Sequence, residues 1–144
     1  MNVKLNDADY TSGVAAFEAK NFSQAMQLLY PLAEAGDADA QHRVAIMCQN
    51  GLGVVRNDAR AFEMMKASAE QGYAIAQHGL GFMYLEGECV ENDSAEAAKW
   101  FRKAGDQGLA GSLTTLAMMY EEGNGVEKDP EEARRLYAEA GFDL

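Results

Sequence analysis

The sequence predicts an all-α fold, a right-handed superhelical solenoid of four helical hairpins. Three observations carry this. The chain matches itself when slid by 36 residues, each unit holds two apolar segments of helical period, and no stretch alternates as a strand would. Gly36, Gly72 and Gly108 fall in register, as do Gly51, Gly87 and Gly123, then Ala61, Ala97 and Ala133, then Met47, Met83 and Met119. The match needs no gap from residue 33 onward, so units of about 1–36, 37–72, 73–108 and 109–144 are expected within a single domain.

In the first unit, residues 8–36, Phe17 to Ala25 close the turn without the extra loop residues of the later units. Pro31 inside its second helix predicts a bend or a loosened last turn. In the third unit the first helix is expected over 74–86, with Ala76, Leu80, Gly81 and Tyr84 on one face. The stretch QHGLGFMYLEG there holds three glycines, but a phosphate-cradling loop would follow a strand. Packing explains Gly81 better, because the position is small in every unit (Ala45, Gly81, Ala117). Asp93 with Glu96, and Asp129 with Pro130 and Glu132, read as helix starts of capping-box type. The second helices should bury Ala97, Trp100, Phe101 and Ala104, or Ala133, Leu136, Tyr137 and Ala140. Gly108 and its equivalents supply the left-handed residue that ends them.

The framework LG..Y..G.GV..D...A..W...A...G, legible from AEAGDADAQHRVAIMCQNGLGVV onward, resembles the Sel-one-like repeat (SLR) family, relatives of the tetratricopeptide repeats. It covers about three-quarters of the chain, with departures: Cys48 replaces the tyrosine, Cys89 the second loop glycine, and Met64 stands where Trp100 stands. The first hairpin looks tetratricopeptide-like and the other three SLR-type. The resemblance implies a protein-binding adaptor without catalytic groups.

Composition narrows the partners. Formal net charge is −11, from 12 basic against 23 acidic residues, which disfavours nucleic acid and an anionic membrane face. No apolar run approaches the roughly 20 residues that cross a bilayer. The start, MNVKLNDADY, lacks a leader's apolar stretch, so a cytoplasmic protein is expected unless a leader has been removed.

Candidate sites are few, and neither cofactor nor metal is expected. His42 and His78 lie one repeat apart, on helices about 8–10 Å from each other, too far for one zinc ion. Solvent- or groove-facing positions suit both. Cys48 and Cys89 occupy non-equivalent slots and read as reduced thiols. Asp7, Asp9, Thr11 and Glu18 approach calcium-loop spacing, but Ser12 stands where that loop needs glycine, and the solenoid needs a helix here. Neither Ser-x-x-Lys nor Gly-x-Ser-x-Gly occurs.

The methionine ladder reads as gap-filling core. Beside it Ile46, Phe82 and Met118 fall in register and exceed what the core needs. In related repeats the first helix lines the concave face. His42 and Ile46, then His78, Phe82, Leu85 and Glu86, then Met118, Glu121 and Glu122 would there form parallel stripes that bind a partner segment. Charge by unit runs −2, −1, −3 and −5, so a partner with basic residues beside apolar ones fits. Leu136, Tyr137 and Phe142 predict an uncovered C-terminal edge with no capping helix beyond it, closed by weak self-association or by a partner. The alternatives are a small-ligand-binding or enzymatic regulator, and a one-to-one blocker of a cognate protein.

Overall fold

The computed structural model describes residues 7–142. Its helices are α1 (Asp7–Glu18), α2 (Phe22–Glu34), α3 (Ala38–Asn50), α4 (Asp58–Glu70), α5 (Ala74–Glu86), α6 (Ser94–Asp106), α7 (Ala110–Glu122) and α8 (Pro130–Glu139), and no strand occurs among the described residues. They pair as hairpins in two compact units, the first holding α1–α4 and Tyr73, the second α5–α8. The expected all-α repeat architecture stands, and α5 covers the span expected for it.

The three longer hairpins close alike. Gly51, Gly87 and Gly123 stand after the first helices at φ 66°, 69° and 70°. The backbone N–H of the next helix's N-cap then donates to a first-helix carbonyl: Asn57 to Cys48, Asp93 to Tyr84 and Asp129 to Tyr120, each at 2.9 Å. The same cap side chains accept from Arg60, Glu96 and Glu132 N–H groups. This corrects half of each expected capping box. A full box needs the glutamate to reach back to the cap N–H, and that donor is already taken. Glu96 lies instead 3.7 Å from Lys99, while Glu132 faces Arg102 and Arg135.

The next glycine of the loop is needed for a second reason. Gly53 and Gly125 have φ 69° and 75°, and a Cβ on either would lie 2.5 Å or 2.4 Å from the carbonyl oxygen of Phe22 or Ser94. Each loop therefore rests on the start of the preceding second helix in its own unit. Cys89 takes this slot in the third hairpin at φ 67°, a conformation that L side chains rarely adopt.

The first hairpin turns in three residues around Lys20, at φ 64°. α2 continues through Pro31, which is exposed, and the Ala35 N–H still donates to the Pro31 carbonyl at 3.0 Å. The proline is carried on an open side of the helix instead of ending it. Asp7, Asp9, Thr11 and Glu18 all lie on α1, as the helical reading requires.

Packing follows the apolar stripes. Met47, Met83 and Met119 are fully buried. A Cβ on Gly81 would sit 2.8 Å from the Phe101 ring, so α5 and α6 cross where only glycine fits without a shift. Two core expectations need correction. Trp100 is only half-buried, with the Lys103 ammonium 5.6 Å from its ring centroid, and small Ala98 turns inward beside it. α8 ends three residues before the 36-residue register would have it, because Gly141 at φ 104° takes the left-handed position. Tyr137 and Ala140, expected in the core, are half-buried.

Candidate functional site

The first helices of unit 1 meet at a carboxylate. Asp39 on α3 accepts from the Tyr10 hydroxyl (2.7 Å), the Tyr73 hydroxyl (2.8 Å) and Arg43 Nε (2.9 Å). Burial alone would raise its pKa, but the donors from Tyr10, Arg43 and Tyr73 outweigh that and hold it below the usual carboxylate range. Burial and the Asp39 bond push both tyrosines up to about 12. A carboxylate held this way accepts protons poorly, so the cluster ties α1 to α3 and is not poised as a general base. Of this cluster only the i, i+4 spacing of Asp39 and Arg43 is visible in the sequence.

The predicted residues of this unit lie beside it. His42 is half-buried with its ring edge-on to Tyr73, centroids 5.7 Å apart, and burial lowers its pKa. Ile46, one turn on, is also half-buried.

In unit 2, His78 Nδ1 shares a 2.6 Å hydrogen bond with buried Ser112 Oγ, which joins α5 to α7. The His78 ring stands edge-on to Phe82 (4.9 Å) and Phe101 (5.6 Å), and burial lowers its pKa too. Neither histidine is solvent-facing; each forms part of a wall. Phe82 also meets Phe101 at 5.0 Å, so part of its surface is already committed to the fold. Leu85 is half-buried against the same core, whereas Met118 is 46% exposed and Glu86, Glu121 and Glu122 are exposed. Glu121 accepts from the Tyr137 hydroxyl at 2.7 Å. The expected open edge is smaller than the sequence suggested. Leu136 is core, and Phe142 lies edge-on to Tyr137 at 5.8 Å while remaining 53% exposed.

Sequence reasoning missed a cavity of about 520 Å³ on the second-helix side of unit 2, walled by Ala98, Lys99, Arg102, Lys103, Tyr120 and Val126 among others. Its signal was present only as the basic run in KWFRK. Neither Cys48 nor Cys89 is in a disulfide, and burial raises the Cys48 pKa. No group of three metal-ligating side chains occurs among the described residues.

A family model for the Sel1 repeat matches residues 13–37, 38–73, 74–109 and 112–141. The chain belongs to the Sel1 repeat family. Each Sel1 repeat here covers most or all of one hairpin, and the first of them is the hairpin with the short turn. A Sel1 repeat protein from Oxalobacter formigenes is 32% identical with a TM-score of 0.85, over 92% of this chain and 53% of its own. The protective antigen c5321 of uropathogenic Escherichia coli, which displays an SLR fold, is 32% identical with a TM-score of 0.82, over 97% of this chain and 33% of its own. This chain therefore spans about half and a third of the lengths of those two. Helicobacter pylori cysteine-rich protein B shares the fold at 19% identity, with a TM-score of 0.66 over 85% of this chain and 90% of its own. No curated protein matches the sequence. Sel1 repeat proteins are in general protein-interaction scaffolds and generally non-catalytic.

Proposed function

We propose that this chain is a non-catalytic adaptor whose first-helix faces hold a protein segment rich in basic and apolar side chains. The observation that carries this is Met118. It is 46% exposed on a regular helix at the position equivalent to half-buried Ile46 and Phe82, and exposed Glu121 and Glu122 follow it within a turn. Covering the part of this side chain that is still exposed would contribute about 1 kcal/mol before ordering costs. The acidic rim would favour a cationic partner and speed its approach. Cytoplasmic placement is part of this proposal.

Met118→Glu is the sharper test, because Phe82 also supports Phe101 and its replacement would disturb the fold. Affinity capture from source lysate should lose the bound protein with Met118→Glu while the thermal midpoint stays unchanged. Retention of the same protein by the variant would show that the first-helix face of unit 2 is not used.

A further inference from the structure

A groove beside a second helix occurs in both units. In the first it lies between α2 and α4, where Met26, Tyr30, Cys48, Val54 and Arg60 wall about 270 Å³. In the second, the residues two repeats further along, Ala98, Arg102, Tyr120 and Val126, wall about 520 Å³. In each unit a polar pair also joins the two second helices. Arg60 donates to the Tyr30 hydroxyl, and Arg102 donates to Glu132 at 3.3 Å and to Tyr120 at 3.1 Å. Hairpin packing alone therefore accounts for the groove.

It does not account for the charge. Lys99 and Lys103 line the groove of unit 2, where unit 1 has Gln27 and Pro31 at the equivalent places. Neither lysine is used by the core: the Lys99 side chain is 71% exposed and 3.7 Å from Glu96, and Lys103 lies over Trp100. Arg102, held by Glu132 and Tyr120, is a fixed wall. One acid, Asp106, shares the lining, and the floor is apolar Ala98, Leu116 and Val126. In a chain of net charge −11 this is a local inversion of sign over an apolar cavity.

We propose that the groove of unit 2, formed by α6, α7 and the loop after α7, docks an acidic peptide segment carrying an aliphatic side chain. The side chain enters over Ala98, Leu116 and Val126. Flanking carboxylates meet Lys99 and Lys103, which stand one helical turn apart on the same rim. This volume is within the range of small-molecule and side-chain pockets. The site is separate from the first-helix face and prefers the opposite charge.

Two fluorescent peptides, one alternating leucine with glutamate and one alternating leucine with lysine, test this on the whole chain by anisotropy and amide chemical shifts. The glutamate peptide should bind with an affinity that falls as salt is added, and it alone should shift the amides of α6 and Val126; the lysine peptide, whose charge suits the first-helix face, should leave those amides unmoved. Lys99→Glu with Lys103→Glu should weaken binding by about tenfold or more, because two charge contacts become repulsive. Met118→Glu should leave it unchanged. Equal shifts of α6 and Val126 by the lysine peptide, unchanged affinity of the glutamate peptide on charge reversal, or shifts at α6 produced by self-association alone would overturn the proposal.

Discussion

At the scale of single residues, two positions take their identity from what surrounds them. Gly81 faces the Phe101 ring so closely that an added Cβ would lie 2.8 Å from it. Phe101 is fully buried and held against His78 and Phe82, so it has little room to move. Gly81→Ala should therefore destabilise the protein by about 1–3 kcal/mol as overpacking does, despite alanine's better helix propensity. Urea unfolding measures this, and a gain in stability would show that α5 and α6 cross less tightly than described. Asp39 is the second position. It collects three donors from two tyrosines and an arginine, and Asp39→Asn removes the charge those bonds strengthen. A loss of roughly 1–3 kcal/mol is expected, as for charge-assisted bonds elsewhere. The same urea midpoint reads it out.

At the scale of elements, the turns hold the clearest compromises. Lys20 and Cys89 occupy left-handed positions that glycine fills in comparable turns of this chain. Cys89→Gly and Lys20→Gly should each raise the unfolding free energy by about 0.5–1 kcal/mol, the strain relieved less the freedom gained by the unfolded chain. If Cys89→Gly destabilises instead, the contacts of its side chain outweigh the strain. These turns also show what a repeat makes legible. Period and cap chemistry are local, so helix starts at Asp93 and Asp129 and the span of α5 can be read from neighbouring residues. Contacts made across a hairpin or between hairpins cannot. The Asp93 N–H is taken by the Tyr84 carbonyl, Tyr10 meets Asp39 from 29 positions away, and Trp100 yields its inward place to Ala98. Gly141 was visible, but the 36-residue register pointed three residues further on, and the left-handed backbone there decided the end of α8. For the candidate site, the stripes were legible as register. How far Phe82 and the histidines are used by the core was not, because that depends on Phe101 and Ser112 arriving from other helices.

For the whole molecule, the shifted groups set a pH window of stability. His42 and His78 are both held below their ordinary pKa by burial. The unfolded chain then takes up their protons first as pH falls through about 6.5, so their stabilisation is complete above that value and declines below it. Asp39, held below its usual range, adds a second decline as pH falls below about 4. On the alkaline side buried Cys48 has a raised pKa, so stability is present below about 8.5 and is lost as pH rises past it. Tyr10, Tyr73 and Tyr137, pushed up to about 12, extend that loss above about pH 10. The thermal midpoint by far-UV circular dichroism should therefore be highest between about pH 6.5 and 8.5. The Asp39 limb, below about pH 4, lies well apart from the limb that the two histidines set below about pH 6.5. A His42→Gln, His78→Gln double variant should flatten that limb and keep the one below about pH 4. If the limb between about pH 6.5 and 5 survives both substitutions, the histidines are not buried as described and the walls they form on α3 and α5 are open to water.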